Sequence, residues 1–168
     1  MEREVFTATD PIFVPDRTTI TPTKKDANVP NINTVPADDA FYVDMRILPR
    51  YSIDEVLAET AKRAAAVEKK YGVKVGVEVV QRNDSPPTPA DAPVVTLLKK
   101  AIEETYGVAG RAIGVGGGTV GAYLRSAGFP CVVWSRQDET MHAPNEYARI
   151  GNLIGDAKIF ARLMLAER

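Results

Sequence analysis

Apolar and polar residues alternate along residues 40–48. Phe41, Val43, Met45 and Ile47 take one face, and Tyr42, Asp44 and Arg46 take the other. A period of two predicts a half-buried strand. Residues 18–21, Thr-Thr-Ile-Thr, predict a shorter strand, and Pro22 after it suits a sheet edge. Between the two, residues 24–36 are loop-like, with Asn28, Pro30, Asn31, Asn33 and Pro36 as turn formers. Residues 1–17 show weak periodicity and contain Pro11 and Pro15, so an irregular lead-in is expected. From Ser52 the period lengthens. Ser52-Ile-Asp-Glu55 is a capping box. Ile53, Val56, Leu57, Thr60, Ala61 and Ala64 then form one helical stripe, and Gly72 is placed to stop the helix. Residues 73–80 return to alternation through Val73, Val75, Val77 and Val79, which predicts another strand.

Residues 83–89 hold three prolines and read as a linker. Asp91 is the expected N-cap of a helix running to Tyr106, with Pro93 in its first turn. Val94, Leu97, Leu98, Ala101 and Ile102 make its apolar stripe, and Gly107 ends it. A strand over 112–115, a glycine turn, a helix over 119–126, a strand over 131–135, a loop and a helix over 150–165 follow. The expected class is therefore α/β: a β-β-α-β unit over residues 1–86, then an α-β-α-β-α unit over 87–168 in the manner of a parallel layer. Units of this size bury a low fraction of their surface, so each should lean on the other or on another chain.

Composition narrows the function. The apolar fraction is 45%, enough for an ordinary core. Lys+Arg (21) and Asp+Glu (22) nearly cancel, which gives no field to draw the chain to nucleic acid or an anionic membrane. The single cysteine, Cys131, excludes an intramolecular disulfide and fits a reducing compartment. No apolar run reaches the ~18 residues that a membrane span needs. A cytoplasmic location is the expectation.

Two motifs carry candidate chemistry. Gly116-Gly117-Gly118-Thr119 falls between a strand and a helix, and Glu139-Thr-Met-His142-Ala-Pro144-Asn145-Glu146 follows the next strand. Both would lie at one edge of a sheet, where open α/β proteins place ligands. The glycines have a bland explanation, a tight turn with positive φ. The alternative is a cradle whose backbone N–H groups at the next helix start hold an anion. His142 is the only histidine; as a metal ligand it needs partners, since zinc takes at least three protein ligands. Asp138, Glu139 and Glu146 are near in sequence. Arg46 reads as a solvated charge beside Asp44, and Asn33 as a turn former.

Taken together, these residues resemble the C-terminal half of the di-zinc aminoacylase and dipeptidase family. That family includes succinyl-diaminopimelate desuccinylase, acetylornithine deacetylase and glutamate carboxypeptidases. Asn33-Thr-Val-Pro36 and Asp44-Met-Arg46 resemble its Asn-x-(Ile/Val)-Pro and Asp-x-Arg element. Gly117-Gly118-Thr119 resembles its Gly-Gly-Thr turn, and Glu139-x-x-His142-x-Pro-Asn145-Glu146 its late histidine loop. In order and spacing the match covers most of residues 18–165.

The resemblance implies a role for each. His142 matches the last zinc ligand. Asn33 and Arg46 match lid residues that grip the substrate carboxylate or polarise its carbonyl, in many members across a dimer. Gly117, Gly118 and Thr119 match the turn that binds the substrate's free carboxylate, and Glu146 matches an acidic residue taken as structural. The family activity is hydrolysis of an amide in a peptide or N-acyl amino acid, with water activated by two zinc ions. Val120-Gly121-Ala122-Tyr123 departs from the Ser-Asp-Gly-Arg of many desuccinylases, leaving Arg125 as a candidate anchor. The His-x-Asp motif, bridging aspartate and Glu-Glu pair of the family's first half have no counterpart here. The expectation is a fragment or subunit of such an enzyme, inactive alone, with a partial ferredoxin-like lid. A non-catalytic oligomerisation or partner-binding module is the alternative. The lid's missing first strand would leave residues 73–80 unpaired. Association of two copies is expected to close that gap, in preference to residues 2–9 folding back into it.

Overall fold

The computed structural model describes residues 1–141 and 143–166. The chain is mixed α/β and divides into two compact units. One comprises Met1–Arg82 with Gly114–Gly117, the other Asn83–Ile113 with Gly118–Arg168.

In the first unit, β2 (Thr19–Lys25) pairs antiparallel with β3 (Phe41–Arg46), placing Thr21 opposite Asp44 and Thr19 opposite Arg46. The register slips between Pro22 and Lys24. Pro22 has no N–H to give the ladder, and a bulge absorbs the missing bond. Helix α1 (Ile53–Tyr71) starts on the predicted capping box. The Glu55 N–H donates to Ser52 Oγ at 3.1 Å and the Ser52 N–H to Glu55 Oε2 at 2.7 Å. Gly72 closes it at φ 66, a left-handed conformation that glycine adopts without a Cβ clash. Val56 is its fully buried residue; Ile53, Leu57, Thr60 and Ala64 are half-buried, while Ala61 is exposed.

The lead-in is more ordered than its sequence predicts. Phe6 is buried and meets Tyr51 edge-to-face at 5.1 Å. Ile20 N–H donates to the Glu2 carboxylate at 2.8 Å, and Ala8 N–H to the Tyr51 hydroxyl at 3.0 Å. Arg63 of α1 reaches Glu4 at 3.0 Å. Residues 2–9 thus fold onto β2 and α1. Further on, β1 (Phe13–Val14) pairs in parallel with β4 (Gly114–Val115). The Phe13 ring occupies the space where a Cβ on residue 114 would stand, so only glycine fits there.

Residues 73–80 are not a strand among the described residues. Alternation records which side chains share a face; a strand also requires a hydrogen-bonded neighbour, and that is non-local information. Val73, Val75, Val77 and Val79 remain 36–51% exposed, so their common face is uncovered.

In the second unit, α2 (Pro93–Tyr106) packs on α4 (Ile150–Leu165). Leu98, Ala101, Ile102 and Ile159 form the core, with Tyr106, Val132, Trp134 and Leu163 against it. The buried face of α2 is turned from the predicted stripe: Val95 is buried and Leu97 exposed. Its N-cap is Ala92, with no side-chain cap, in place of Asp91. Pro93 needs no N–H partner in the first turn, which lowers the demand for a cap. Between them lies α3 (Gly121–Ser126), two residues shorter at its start than the predicted 119–126.

Residues 131–135 form no ladder either. Side chains take over that work. The Thr88 hydroxyl accepts from Cys131 N–H at 3.1 Å and donates to Cys131 O at 2.6 Å. The Asp156 carboxylate accepts from Trp134 Nε1 at 3.0 Å and Arg136 N–H at 3.1 Å. Cys131 is half-buried. No helix among the described residues is long and apolar enough to cross a membrane.

Candidate functional site

Strand β3 delivers Arg46 to the glycine turn. Its Nη2 donates to Asp44 Oδ2 at 2.9 Å and its Nε to the other carboxylate oxygen, a two-point fork that fixes the guanidinium plane. Nη1 donates to the Gly116 carbonyl at 3.2 Å. The turn has no Cβ to obstruct this. A Cβ on Gly116 would stand 3.0 Å from Arg46 Cβ, and one on Gly117 3.2 Å from Arg46 Nη1. Positive φ is confined to Gly72, Gly107 and Gly128 among the glycines, so the turn-strain explanation of Gly116, Gly117 and Gly118 does not hold. Close approach of Arg46 is the reason for the first two. Asn33 belongs to the same unit but lies in an exposed turn of the connection between β2 and β3. That connection is closed at its base by Asp26 N–H donating to Ala40 O at 3.0 Å.

The remainder of the turn, Gly118-Thr119, belongs to the second unit. The helix that follows the turn is short. It is six residues long, and two of its early amides bond back to the turn. Ala122 N–H donates to Thr119 O at 2.9 Å and Tyr123 N–H to Val120 O at 3.1 Å. Arg125, the candidate carboxylate anchor, has partners of its own. Its Nε donates to Ser85 Oγ at 2.9 Å and its Nη1 to Cys131 O at 3.2 Å, stapling the proline-rich segment to α3.

The histidine loop borders a cleft of about 260 Å³ lined by Asp138, Thr140, Met141, Glu146, Tyr147 and Asn152 among others. His142 itself lies outside the described residues. Asp138 is paired with Arg149 at 2.8 Å. The Tyr147 hydroxyl, then the Asp138 carboxylate, hold the Arg149 guanidinium above its ordinary pKa. Asn145 takes φ 61, a left-handed conformation that asparagine tolerates better than most residues.

No three His, Cys, Asp or Glu side chains converge among the described residues. Asp138 is held by Arg149. Sequence reasoning missed one residue at the turn. Asn83, read as part of the linker, places its side-chain nitrogen 3.1 Å from where a Cβ on Gly118 would stand.

In a mixed α/β chain, Arg46 thus lies forked on Asp44 against Gly116, and the loop after residue 137 lines a cleft. The chain matches peptidase family M20/M25/M40 over residues 10–166 and belongs to that family. It is 34% identical over 170 residues to an uncharacterized metallohydrolase of Methanocaldococcus jannaschii, covering 96% of this chain and 42% of the relative. It is 32% identical over 168 residues to an uncharacterized metallohydrolase of Methanococcus maripaludis, covering 92% of this chain and 40% of the relative. The chain spans about two fifths of the length of these relatives.

Proposed function

We propose that this chain is the C-terminal, substrate-gripping part of a metal-dependent hydrolase that cleaves the amide of a peptide or N-acyl amino acid. Family membership and the resemblance to metallohydrolases support the reaction class. The observation that carries the chain's part in it is Arg46, held flat on the glycine turn by Asp44. A planar guanidinium fixed in this way is suited to a carboxylate or a polarised carbonyl oxygen. Asn33 offers an amide N–H to the same carbonyl, and Gly117, Gly118 and Thr119 receive the substrate's free carboxylate. His142 gives one ligand to the metal pair, zinc in this reading, whose other ligands and general base come from the remaining length that the relatives possess.

In this reading residues 1–86 belong to a ferredoxin-like lid and 87–168 to the metal-binding domain of a cytoplasmic enzyme. The uncovered valine face of residues 73–80 supports pairing with a second copy, a homodimer through the lid. The departure at Val120-Gly121-Ala122-Tyr123 favours a peptidase-like member over a true desuccinylase. The complete enzyme, loaded with zinc, should hydrolyse members of a panel of dipeptides and N-acyl amino acids. Failure to cleave any amide in that panel would leave the non-catalytic module as the better account.

A further inference from the structure

We infer that Asn83 is a substrate-carboxylate ligand, a side-chain donor that completes the Gly118-Thr119 turn. The inference rests on the reading above that this turn receives a carboxylate.

The local geometry is contained within the second unit. Gly118 and Thr119 N–H groups make no hydrogen bond among the described residues, whereas Ala122 and Tyr123 N–H bond back to Thr119 O and Val120 O. The turn therefore presents backbone donors but no charge and no helix end of useful length. Asn83 Nδ2 lies against the open side of Gly118, 3.1 Å from a Cβ that glycine lacks. Any larger residue at 118 would push the amide away. Asn83 is exposed, and no hydrogen bond engages its amide among the described residues. A side-chain NH2 has two donors, so one can face the turn's ligand while the other stays hydrated.

The next residues keep Asn83 in place. Ser126 Oγ donates to Asp84 O at 3.2 Å, and Arg125 Nε donates to Ser85 Oγ at 2.9 Å. Two consecutive residues after Asn83 are thus pinned to α3, the helix that follows the turn. These two ties hold the start of the proline-rich linker, and with it the amide, in place relative to Gly118. A neutral donor there favours a carboxylate by a charge-assisted hydrogen bond.

Two measurements test this. The first is kinetic, on the complete enzyme, comparing an N-acyl amino acid with the same compound whose carboxylate is capped as a primary amide. A hydrogen bond to a charged group is worth about 1.5–3 kcal/mol, so Asn83→Ala should lower the preference for the free carboxylate by roughly tenfold or more. Asn83→Asp, which sets like charges together, should lower it further. Equal effects on both substrates would overturn the inference and make Asn83 a structural residue. The second measurement needs no turnover: the Asn83 side-chain amide resonance followed by NMR during titration with N-acetylglycine and with its amide. A shift with the acid only is expected. If the enzyme cleaves no amide yet this shift occurs, the functional reading fails and the Asn83 site stands. No shift with either compound would overturn the site itself.

Discussion

Arg46 Nη1 donates to the Gly116 carbonyl at 3.2 Å, across seventy residues of sequence, while Asp44 holds the far edge of the same guanidinium. The bond ties β3 to the turn that follows β4. It also explains the glycines there by space and not by backbone strain.

Substituting Gly116→Ala should therefore act through Arg46. The new Cβ would press on Arg46 Cβ at 3.0 Å, tighter than an ordinary contact, and tilt the fork off its plane. In the complete enzyme KM should rise several-fold while the thermal midpoint moves little, because Gly116 is exposed. Unaltered KM would show that the guanidinium's placement is irrelevant to substrate.

Gly155 of α4 faces Tyr106 of α2 so closely that a Cβ would overlap the phenol. Gly155→Ala should destabilise the second unit by about 1–3 kcal/mol, the usual cost of overpacking. The Tyr106 hydroxyl is buried without a hydrogen-bond partner among the described residues. Tyr106→Phe should be neutral or stabilising by about 1 kcal/mol, since an unsatisfied buried hydroxyl is removed. In the double variant it should also recover part of the alanine's cost. Denaturant midpoints of the four proteins decide this, and strict additivity would refute the clash.

Asp54 in the first turn of α1 pairs with Arg82 at 2.7 Å, and hydrogen bonding to that guanidinium holds its carboxyl below the ordinary 3.8. A depressed carboxylate stabilises the fold above its unfolded pKa and loses that contribution as pH falls through the folded value. The stability difference between wild type and Asp54→Asn should thus be largest near neutrality and shrink below about pH 4. The pair is exposed, so ~1 M salt should shrink it at any pH. A difference independent of both pH and salt would assign the effect to helix capping alone.

The isolated 168-residue chain should not hold zinc stoichiometrically, and should not hydrolyse dipeptides or N-acyl amino acids. No three ligating side chains converge among its described residues, and one imidazole leaves a zinc ion short of ligands. Metal analysis after gel filtration, with a parallel amide assay, reads both quantities. One zinc per chain together with turnover would contradict the division of labour proposed for this family member.

What the sequence made legible was local. The Ser52–Glu55 capping box, the Gly72 and Gly107 stops and the α4 helix follow from contacts within a few residues, and each is found where expected. Pairing partners were not legible. Phe13–Val14 becomes a strand only because Gly114–Val115 lies beside it, and residues 73–80 have the alternation of a strand without a neighbour. Phe6 was missed because one buried aromatic in a non-periodic segment leaves no pattern to count. At the site, the sequence marks Arg46 and the glycine turn separately, and their contact is a long-range relation that no local pattern encodes. Asn83 was hidden by its prolines, which marked a linker and said nothing of what the linker touches. His142 lies outside the described residues, so its role rests on the motif.

The most direct test of the account is the specificity constant of Arg46→Lys in the complete, zinc-loaded enzyme on its best N-acyl amino acid or dipeptide. Lysine keeps the charge but loses the fork that binds Asp44 and the Gly116 carbonyl together. The account predicts a loss of roughly tenfold or more in kcat/KM, corresponding to about 1.4 kcal/mol of transition-state stabilisation. Kinetics indistinguishable from wild type would return Arg46 to a solvated surface charge and contradict the proposed substrate grip.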